Sequence, residues 1–352
     1  MFFYSCFVFL VSGLFFTSYL TKSNIFSLFA LFLIVMLSAT RLEIGYDYFN
    51  YVGFYSVHLP ESLEPLFKLS INLMNSFDLH YREFFFIYSI VTIFVLYIAI
   101  AKYTPYRKSA LLIFILIPGL YLNSFSIIRQ SIAASFVFFA IYYLIYEKKY
   151  VKFWVLSLIA ICFHYPVVLV VLLVSLFKSL LNKEGSFKFY CFIVMTSLVI
   201  YKAGVASFVL SMIGGKYSLY ASFVQPVSVL KLLVLNFYIL ILLCFKKQFI
   251  KDERDVFVVN LLVIGVLIVN IFADFTPVSR LGYYLLIFQI IIVPKLIYSF
   301  PSSNLRQTSL KTLVIAITMF YYFSMFTNSL YVDSRQDIYP KLTPYNSWLL
   351  SE

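Results

Sequence analysis

Residues 152–181 read KFWVLSLIAICFHYPVVLVVLLVSLFKSLL, and this stretch decides how the chain is threaded through a membrane. Pro166 follows His164 and Tyr165 near its middle, and a proline there removes a backbone donor and breaks a helix. The stretch is therefore either one kinked span or a hairpin of two short helices. These helices would contain about 12 and 15 residues, or ~18 and ~22 Å, so each is short for a ~30 Å hydrocarbon layer unless the tip is re-entrant.

The composition of the whole chain identifies its class. Of the 352 residues, 62% are hydrophobic and 12% are charged, against roughly 25% charged in a soluble domain. A soluble globular protein is excluded, and so is a disordered chain, which would be poor in aromatic residues. An all-α, polytopic integral membrane protein remains. Its net charge of +12 then indicates orientation in the bilayer, and no nucleic-acid partner is expected.

Apolar runs long enough to cross a bilayer divide the chain into candidate helices. They lie at 3–20, 25–39, 84–101, 109–124, 131–146, 189–204, 229–245, 256–273, 281–298 and 312–328. With two short segments in 152–181, the chain is predicted to form about twelve membrane segments. We expect one polytopic domain that covers residues 1–352.

The distribution of basic residues chooses between the kinked span and the hairpin, because loops that stay in the cytoplasm carry the excess of Lys and Arg. With a hairpin at 152–181, 17 of the 27 basic residues are cytoplasmic and 10 are outside. With a single crossing the numbers become 13 and 14. The hairpin is therefore favoured, and it places both termini on the outer side of the membrane.

Three regions remain on the outer side, namely the loop 40–83, the loop 205–226 and the tail 329–352. In the largest of them, apolar residues follow Pro65 at helical spacing. They include Leu66, Phe67, Ile71, Leu73, Met74 and Phe77. This pattern predicts an amphipathic helix that lies on the membrane surface.

Several familiar sites are missing from the sequence. It contains no GxxxxGK[ST] loop, no GxGxxG, no HExxH and no GxSxG, so an ATPase, a Rossmann enzyme, a zinc protease and a serine hydrolase lose support. The four cysteines are widely spaced within apolar runs and are expected to be small buried hydrophobes. They are Cys6, Cys162, Cys191 and Cys244. We expect a reaction that needs neither a metal nor a cofactor.

Arg129 is the strongest candidate for a functional residue. It lies between two apolar helices at the outer mouth, at the start of a helix where backbone N–H groups also favour anions. A guanidinium at this place suits a pyrophosphate, which it binds with two parallel hydrogen bonds. The alternative is an arginine that extends to the lipid headgroups.

Two further sites offer acid–base chemistry. His164, at the proposed hairpin tip, is suited to hydrogen-bond a sugar hydroxyl or a phosphate or to move a proton, or it caps the helix. Asp47 follows Arg41 where a helix leaves the membrane, and it is either a general base towards a sugar hydroxyl or the partner of Arg41 in a surface salt bridge.

Aromatic and basic residues surround these candidates. Tyr46, Tyr48 and Tyr51 could stack on sugar rings or form an interfacial aromatic belt. Arg280 starts another outer helix and is either a second phosphate ligand or the partner of Asp274. Lys216, beside a flexible Gly-Gly turn, adds positive charge to the same side.

Four short elements occur in a characteristic order. They are RLEIGYDY at 41–48, EPLF at 64–67, IRQSIA at 128–133 and AICFH at 160–164. Together they resemble the EpsG-like branch of the Wzy polysaccharide polymerases over roughly residues 40–180. In the second half of the chain, only the hydrophobic layout and Arg280 match.

The resemblance implies a bacterial inner-membrane glycosyltransferase at the periplasmic face. Such an enzyme moves a growing glycan from undecaprenyl pyrophosphate to the non-reducing end of another lipid-linked repeat unit, as in O-antigen synthesis. By position, Arg129 and Arg280 would neutralise the departing pyrophosphate, His164 would assist, and Arg41 and Asp47 would shape the acceptor side. Residues expected to bind the substrate are Tyr46, Tyr48, Tyr51, Glu64, Gln130 and Lys216.

The partners implied are the undecaprenyl pyrophosphate-linked oligosaccharide as donor and acceptor, the lipid bilayer, and a chain-length-regulating co-polymerase. A flippase or transporter of lipid-linked oligosaccharide is an alternative. It should contain sequence repeats and a charged central cavity, whereas the notable residues here gather at the outer mouth. Another lipid-dependent transferase or ligase remains a third interpretation.

Overall fold

A computed structural model describes residues 2–55, 59–206, 208, 229–300, 305–335 and 342–349. Within these ranges the regular elements are helices, accompanied by one isolated β-bridge between Arg41 and Ser347. Six helical stretches within these ranges are long and apolar enough to cross a membrane, and one of them, Thr276–Ser299, consists of two consecutive helices. The predicted class, an all-α multi-pass membrane protein, is confirmed. The number of twelve segments and the periplasmic position of both termini stay predictions.

The chain forms two compact units, residues 1–168 with 315–352 and residues 169–314. The helices before the first boundary are α1 (Phe2–Thr21), α2 (Ile25–Ala39), α3 (Tyr48–Gly53), α4 (Pro65–Ser76), α5 (Tyr81–Tyr103), α6 (Arg107–Leu116), α7 (Ile128–Tyr142) and α8 (Tyr150–Phe163). Those that follow are α9 (Val167–Leu176), α10 (Lys178–Leu181), α11 (Phe187–Lys202), α12 (Val229–Cys244), α13 (Lys246–Phe249), α14 (Glu253–Ile271), α15 (Thr276–Leu286), α16 (Gln289–Ser299) and α17 (Leu305–Arg335).

The predicted break in 152–181 is present. Helix α8 ends at Phe163 and α9 begins at Val167. Between them His164 has an extended backbone, with φ −157° and ψ 104°. Pro166 accounts for this interruption, because it cannot donate to the preceding turn and it disfavours helical dihedrals in the residue before it.

Two other predicted helices differ from the observed ones. The run 109–124 ends as a helix at Leu116, because Ile117 precedes Pro118 and adopts an extended conformation. A short 3₁₀ turn at Asn123–Phe125 completes this connection to α7. The run 281–298 consists of two helices, α15 and α16.

The four cysteines have free thiols, but the expectation that all are buried is wrong for two of them. Cys6 and Cys244 are exposed, whereas Cys162 and Cys191 are partly buried. Exposed apolar side chains on such helices are the ones that a bilayer would cover, so burial within the protein is not needed for them.

The predicted amphipathic helix is α4, and it begins at Pro65 as expected. Its inner face, Phe67, Ile71 and Met74, packs into an aromatic core. The other members of that core are Tyr48, Tyr51, Phe84, Phe85, Tyr88, Leu63, Ile128 and Ile132. Leu69, Leu73 and Phe77 are exposed on α4. Its position on the membrane surface remains a prediction, and the core beneath it fixes the elements that form the candidate site.

The C-terminal segment 342–349 pairs with the chain where it leaves α2. The Leu42 N–H donates to the Asn346 carbonyl at 2.9 Å, and the Trp348 N–H donates to the Thr40 carbonyl at 3.0 Å. The Tyr345 hydroxyl reaches the Leu37 carbonyl at 2.8 Å. This part of the predicted outer tail is therefore an ordered strap across the end of α2.

Buried polar groups join the helices of the second unit. Asn236 on α12 and Asn270 on α14 exchange two amide hydrogen bonds of 2.8 and 2.7 Å, and Asn270 also donates to Ser197 on α11 at 2.7 Å. Such satisfied amides hold helices together where apolar side chains alone give little preference for one packing.

Candidate functional site

Arg129 lies in the first turn of α7. It contacts Glu64, the residue before α4. Its Nη1 atom is 2.6 Å from Oε2 of Glu64. The guanidinium carbon also lies 5.4 Å from the centre of the Phe67 ring. The side chain is 31% exposed, so part of the guanidinium remains accessible beside its ion pair. This geometry places a cation with N–H donors at the surface of the site.

Glu64 is the N-cap residue of α4, and its backbone is extended, with φ −61° and ψ 141°. The following proline imposes this conformation and opens the helix. The carboxylate does not cap its own helix. Instead it points across to other helices, where its side chain is only 5% exposed.

The second oxygen of this carboxylate faces His164. Glu64 Oε1 lies 3.3 Å from His164 Nδ1, at the end of α8. Burial by itself would raise the pKa of Glu64, but the hydrogen bond to His164 and the charge of Arg129 lower that pKa below its ordinary value. The three side chains therefore form one cluster, the Arg129–Glu64–His164 cluster, around an ionised carboxylate.

Tyr51 on α3 is the next neighbour of Arg129. It is buried and interacts with the guanidinium by a hydrogen bond and by charge. Burial raises the pKa of Tyr51, although the charge of Arg129 opposes that shift. Tyr51 is therefore a neutral phenol that forms a hydrogen bond with the arginine.

An open pocket of about 390 Å³ adjoins Arg129. It is lined by Asp47, Phe49, Asn50, Tyr51, Gly53, Phe54, Pro60 and Arg129. The pocket thus combines one cation, one carboxylate and one amide with aromatic rings. Polar groups of this kind recognise hydroxyls and phosphates, and the rings offer flat apolar faces.

Arg41 and Tyr48 lie in the core instead of the pocket. Arg41 is 1% exposed, and its guanidinium lies 4.6 Å from the Phe85 ring centre and 5.3 Å from that of Phe125. Burial lowers the pKa of Arg41 to about 10, which still leaves it cationic at neutral pH. Tyr48 stacks on Phe85 at 4.6 Å. Their roles towards an acceptor stay predictions. In this structure both side chains are buried and pack on Phe85, which is part of the aromatic core.

The remaining predicted residues are placed as follows. Tyr46 is exposed, and its backbone N–H donates to Ser126 Oγ at 3.0 Å. Gln130 is buried within α7. Arg280 lies in α15 of the second unit and is partly buried, while Asp274 there accepts a hydrogen bond from the Tyr201 hydroxyl at 3.0 Å. Lys216 lies outside the described residues.

Some residues of the site had not been singled out from the sequence. Asn50 lies on the pocket wall three residues after Asp47, which is the spacing of one helical turn and is a usable signal. Pro60 lies in the loop, and no local signal distinguishes it from an ordinary loop residue. The sequence predicts Phe67 on the apolar face of the amphipathic helix, but its position beneath Arg129 has no local signal.

The arrangement is suited to bind an anionic group next to a hydroxyl-bearing ligand. Arg129 supplies positive charge, Asp47 and Asn50 supply hydrogen-bonding groups, and His164 supplies a group that can carry a proton. Among the described residues, no three His, Cys, Asp or Glu side chains group together as metal ligands do. The expectation of a reaction without metal or cofactor stays a prediction.

Comparison with known proteins adds one finding. The family model described as the EpsG family matches residues 24–347, which is nearly the whole chain. No curated protein and no solved structure matches it. The matched region contains all four sequence elements as well as the Arg129–Glu64–His164 cluster and its pocket, and the chain belongs to the EpsG family.

Proposed function

We propose that this protein is a polymerase of lipid-linked polysaccharide repeat units in the bacterial inner membrane. Membership of the EpsG family suggests a glycosyltransferase-like membrane enzyme. The observation that carries the finer assignment is the position of Arg129, whose partly exposed guanidinium forms one wall of a pocket with Asp47, Asn50 and aromatic rings. A cation next to hydroxyl-binding groups suits a sugar joined to a pyrophosphate.

The reaction transfers the growing glycan from undecaprenyl pyrophosphate to another repeat unit. A hydroxyl oxygen of the acceptor bonds to the anomeric carbon of the donor sugar, and the bond from that carbon to the pyrophosphate oxygen breaks. The pyrophosphate leaves with the electron pair, and the hydroxyl proton passes to a base. Donor and acceptor are both lipid-linked, so the reaction takes place at the membrane surface on the periplasmic side.

The residues act on charge and placement in this proposal. Arg129 neutralises the departing pyrophosphate, and the role of Arg280 in the second unit stays a prediction from the sequence. Because pyrophosphate is a good leaving group, catalysis mainly requires electrostatic stabilisation and correct orientation of the two sugars. Asp47 and Asn50 on the pocket wall would orient the acceptor hydroxyls.

A test in the host separates this function from its alternatives. Deletion of the gene should leave surface polysaccharide of a single repeat unit, seen as one short band on a gel. Complete loss of the polysaccharide would instead support a flippase or a ligase. Restoring the gene on a plasmid should restore the ladder of chain lengths.

Variants of Arg129 test the site itself. Arg129→Ala should give the single-repeat phenotype at normal protein abundance, because loss of one transition-state donor costs roughly 100-fold in rate. Arg129→Lys keeps the charge but loses the planar fork, so it should restore only short chains. A normal ladder in Arg129→Ala would contradict the pyrophosphate role.

A further inference from the structure

Glu64 links three helices through one carboxylate. It lies at the start of α4, and its two oxygens reach Arg129 on α7 at 2.6 Å and His164 at the end of α8 at 3.3 Å. The carboxylate makes no capping hydrogen bond to its own helix. Only 5% of the side chain is exposed, so Glu64 is a buried anion that contacts two other side chains.

The contact determines which nitrogen of His164 carries the proton. An ionised carboxylate has only acceptor sites, so Nδ1, the ring atom that faces it, must be the donor. In the neutral ring the lone pair then lies on Nε2. The His164 side chain is 22% exposed, so part of it is accessible from outside the protein.

We propose that Glu64 is a positioning residue that orients His164 as the proton acceptor of the reaction and holds Arg129 against the pocket. This inference rests on the proposed function. While the acceptor oxygen bonds to the anomeric carbon and the pyrophosphate departs with its electron pair, the hydroxyl proton moves to Nε2 of His164. The imidazolium that forms lies beside the Glu64 carboxylate, which stabilises it, and it later releases the proton to water.

Other charged and titratable side chains near the cluster lie on α7, α3 and α5. Arg129 lies on α7, and the carboxylate neutralises part of its charge. Tyr51 lies on α3, and Tyr88 on α5 contacts Phe163, the residue before His164. Both phenols are neutral at physiological pH, because burial raises the pKa of Tyr51 and Tyr88 lies within an apolar aromatic core. Asp47 lines the pocket beside Arg129 and acts on Tyr51 by charge. Glu64 is the carboxylate that contacts the imidazole ring, at 3.3 Å.

Substitution of His164 separates positioning from proton transfer. In His164→Asn, the amide nitrogen takes the place of Nδ1 and keeps the donor to Glu64, but the acceptor at Nε2 is lost. This variant should fold with unchanged thermal stability and lose at least roughly 100-fold in rate. His164→Gln places its amide at the position of Nε2 and should lose both stability and rate. Activity of His164→Asn within about twofold of wild type would overturn the proposal.

Substitution of Glu64 tests the positioning role directly. Glu64→Gln should lower the rate and move the acid limb of the pH–rate profile to lower pH, since a neutral amide no longer stabilises the imidazolium. Glu64→Asp keeps the charge, so it should restore the position of the limb with only part of the rate. Glu61→Gln, three residues earlier and exposed, is the matched control and should behave as wild type.

The assay uses the full-length protein in liposomes and lipid-linked repeat units extracted from a host strain that lacks this gene. Product length on a gel gives the rate. Glu64→Gln with the rate and pH profile of the wild type would overturn the positioning role alone and leave the polymerase intact. Failure of the wild-type protein to lengthen the repeat units would contradict the proposed function, and with it this role of Glu64.

Discussion

Gly45 is the residue at which the backbone of the site is most constrained. Its φ is +106°, and a Cβ atom built there would lie 2.2 Å from the carbonyl oxygen of Phe125. The neighbouring Tyr46 N–H donates to Ser126. This close approach places the segment with Asp47 and Asn50 next to the turn that starts α7.

Gly45→Ala should therefore destabilise the protein by about 2 kcal/mol or more, because the added methyl group meets backbone and the left-handed dihedral is strained. Thermal unfolding in detergent measures the change. Gly13→Ala is the control, because Gly13 lies inside α1 with no atom within 4 Å of the added Cβ, and this variant should be more stable by up to about 1 kcal/mol. Equal melting temperatures for both variants would contradict the close approach.

The buried carboxylate of Glu64 makes the stability of the folded protein depend on pH at low pH. Its pKa is lowered in the folded protein from the ordinary value of 4.5. A lowered carboxyl pKa stabilises the fold fully above the unfolded value, and this stabilisation is lost as the pH falls through the folded value. The stability advantage of wild type over Glu64→Gln should thus not decrease between pH 8 and about 5, and it should shrink below about 4.5. Melting curves across this range test it, and an advantage that shrinks already between pH 8 and 6 would contradict the ion pair.

At the scale of elements, the C-terminal strap 342–349 secures the end of α2. The Tyr345 hydroxyl bonds to the Leu37 carbonyl at 2.8 Å and lies 3.2 Å from Thr40 Oγ1, and its ring stacks on Phe3 at 4.7 Å. The strap thus ties α1 and α2 to the segment that continues into the pocket wall.

Tyr345→Phe should lower stability by about 1 kcal/mol, because it leaves the buried carbonyl of Leu37 without this donor. Tyr345→Ala should cost more, because the stacking on Phe3 is also lost. Melting temperatures in detergent provide the measurement, with the exposed Tyr19→Phe on α1 as a control that should be neutral. A Tyr345→Phe variant as stable as Tyr19→Phe would show that the strap does not contribute to stability.

At the scale of the whole molecule, the distribution of basic residues predicts the orientation. With 17 of the 27 Lys and Arg assigned to the inner side, reporter tags at Gly185 and Asp252 should both be cytoplasmic. Accessibility of single engineered cysteines at these positions to a membrane-impermeant reagent, in intact and in permeabilised cells, measures this. A single crossing of the stretch 152–181 would move both positions to the other side, so two outer tags would show that this stretch crosses once.

The amino-acid sequence by itself determined the class of the protein and the main helix boundaries. Helix α2 occupies 25–39 as predicted, α4 begins at Pro65, and the chain breaks before Pro166. These features are local, because an apolar run or a proline acts on its own few residues. The family resemblance was equally readable from short elements.

Only the tertiary structure decided how the site is assembled. Arg129 and His164 lie 65 and 100 residues from Glu64, and nothing in their local sequence specifies that one carboxylate contacts both. Likewise, Arg41 is buried between two aromatic rings instead of lining the pocket. Contacts of this kind depend on how distant helices pack, and a buried charge takes whichever partners that packing brings within reach.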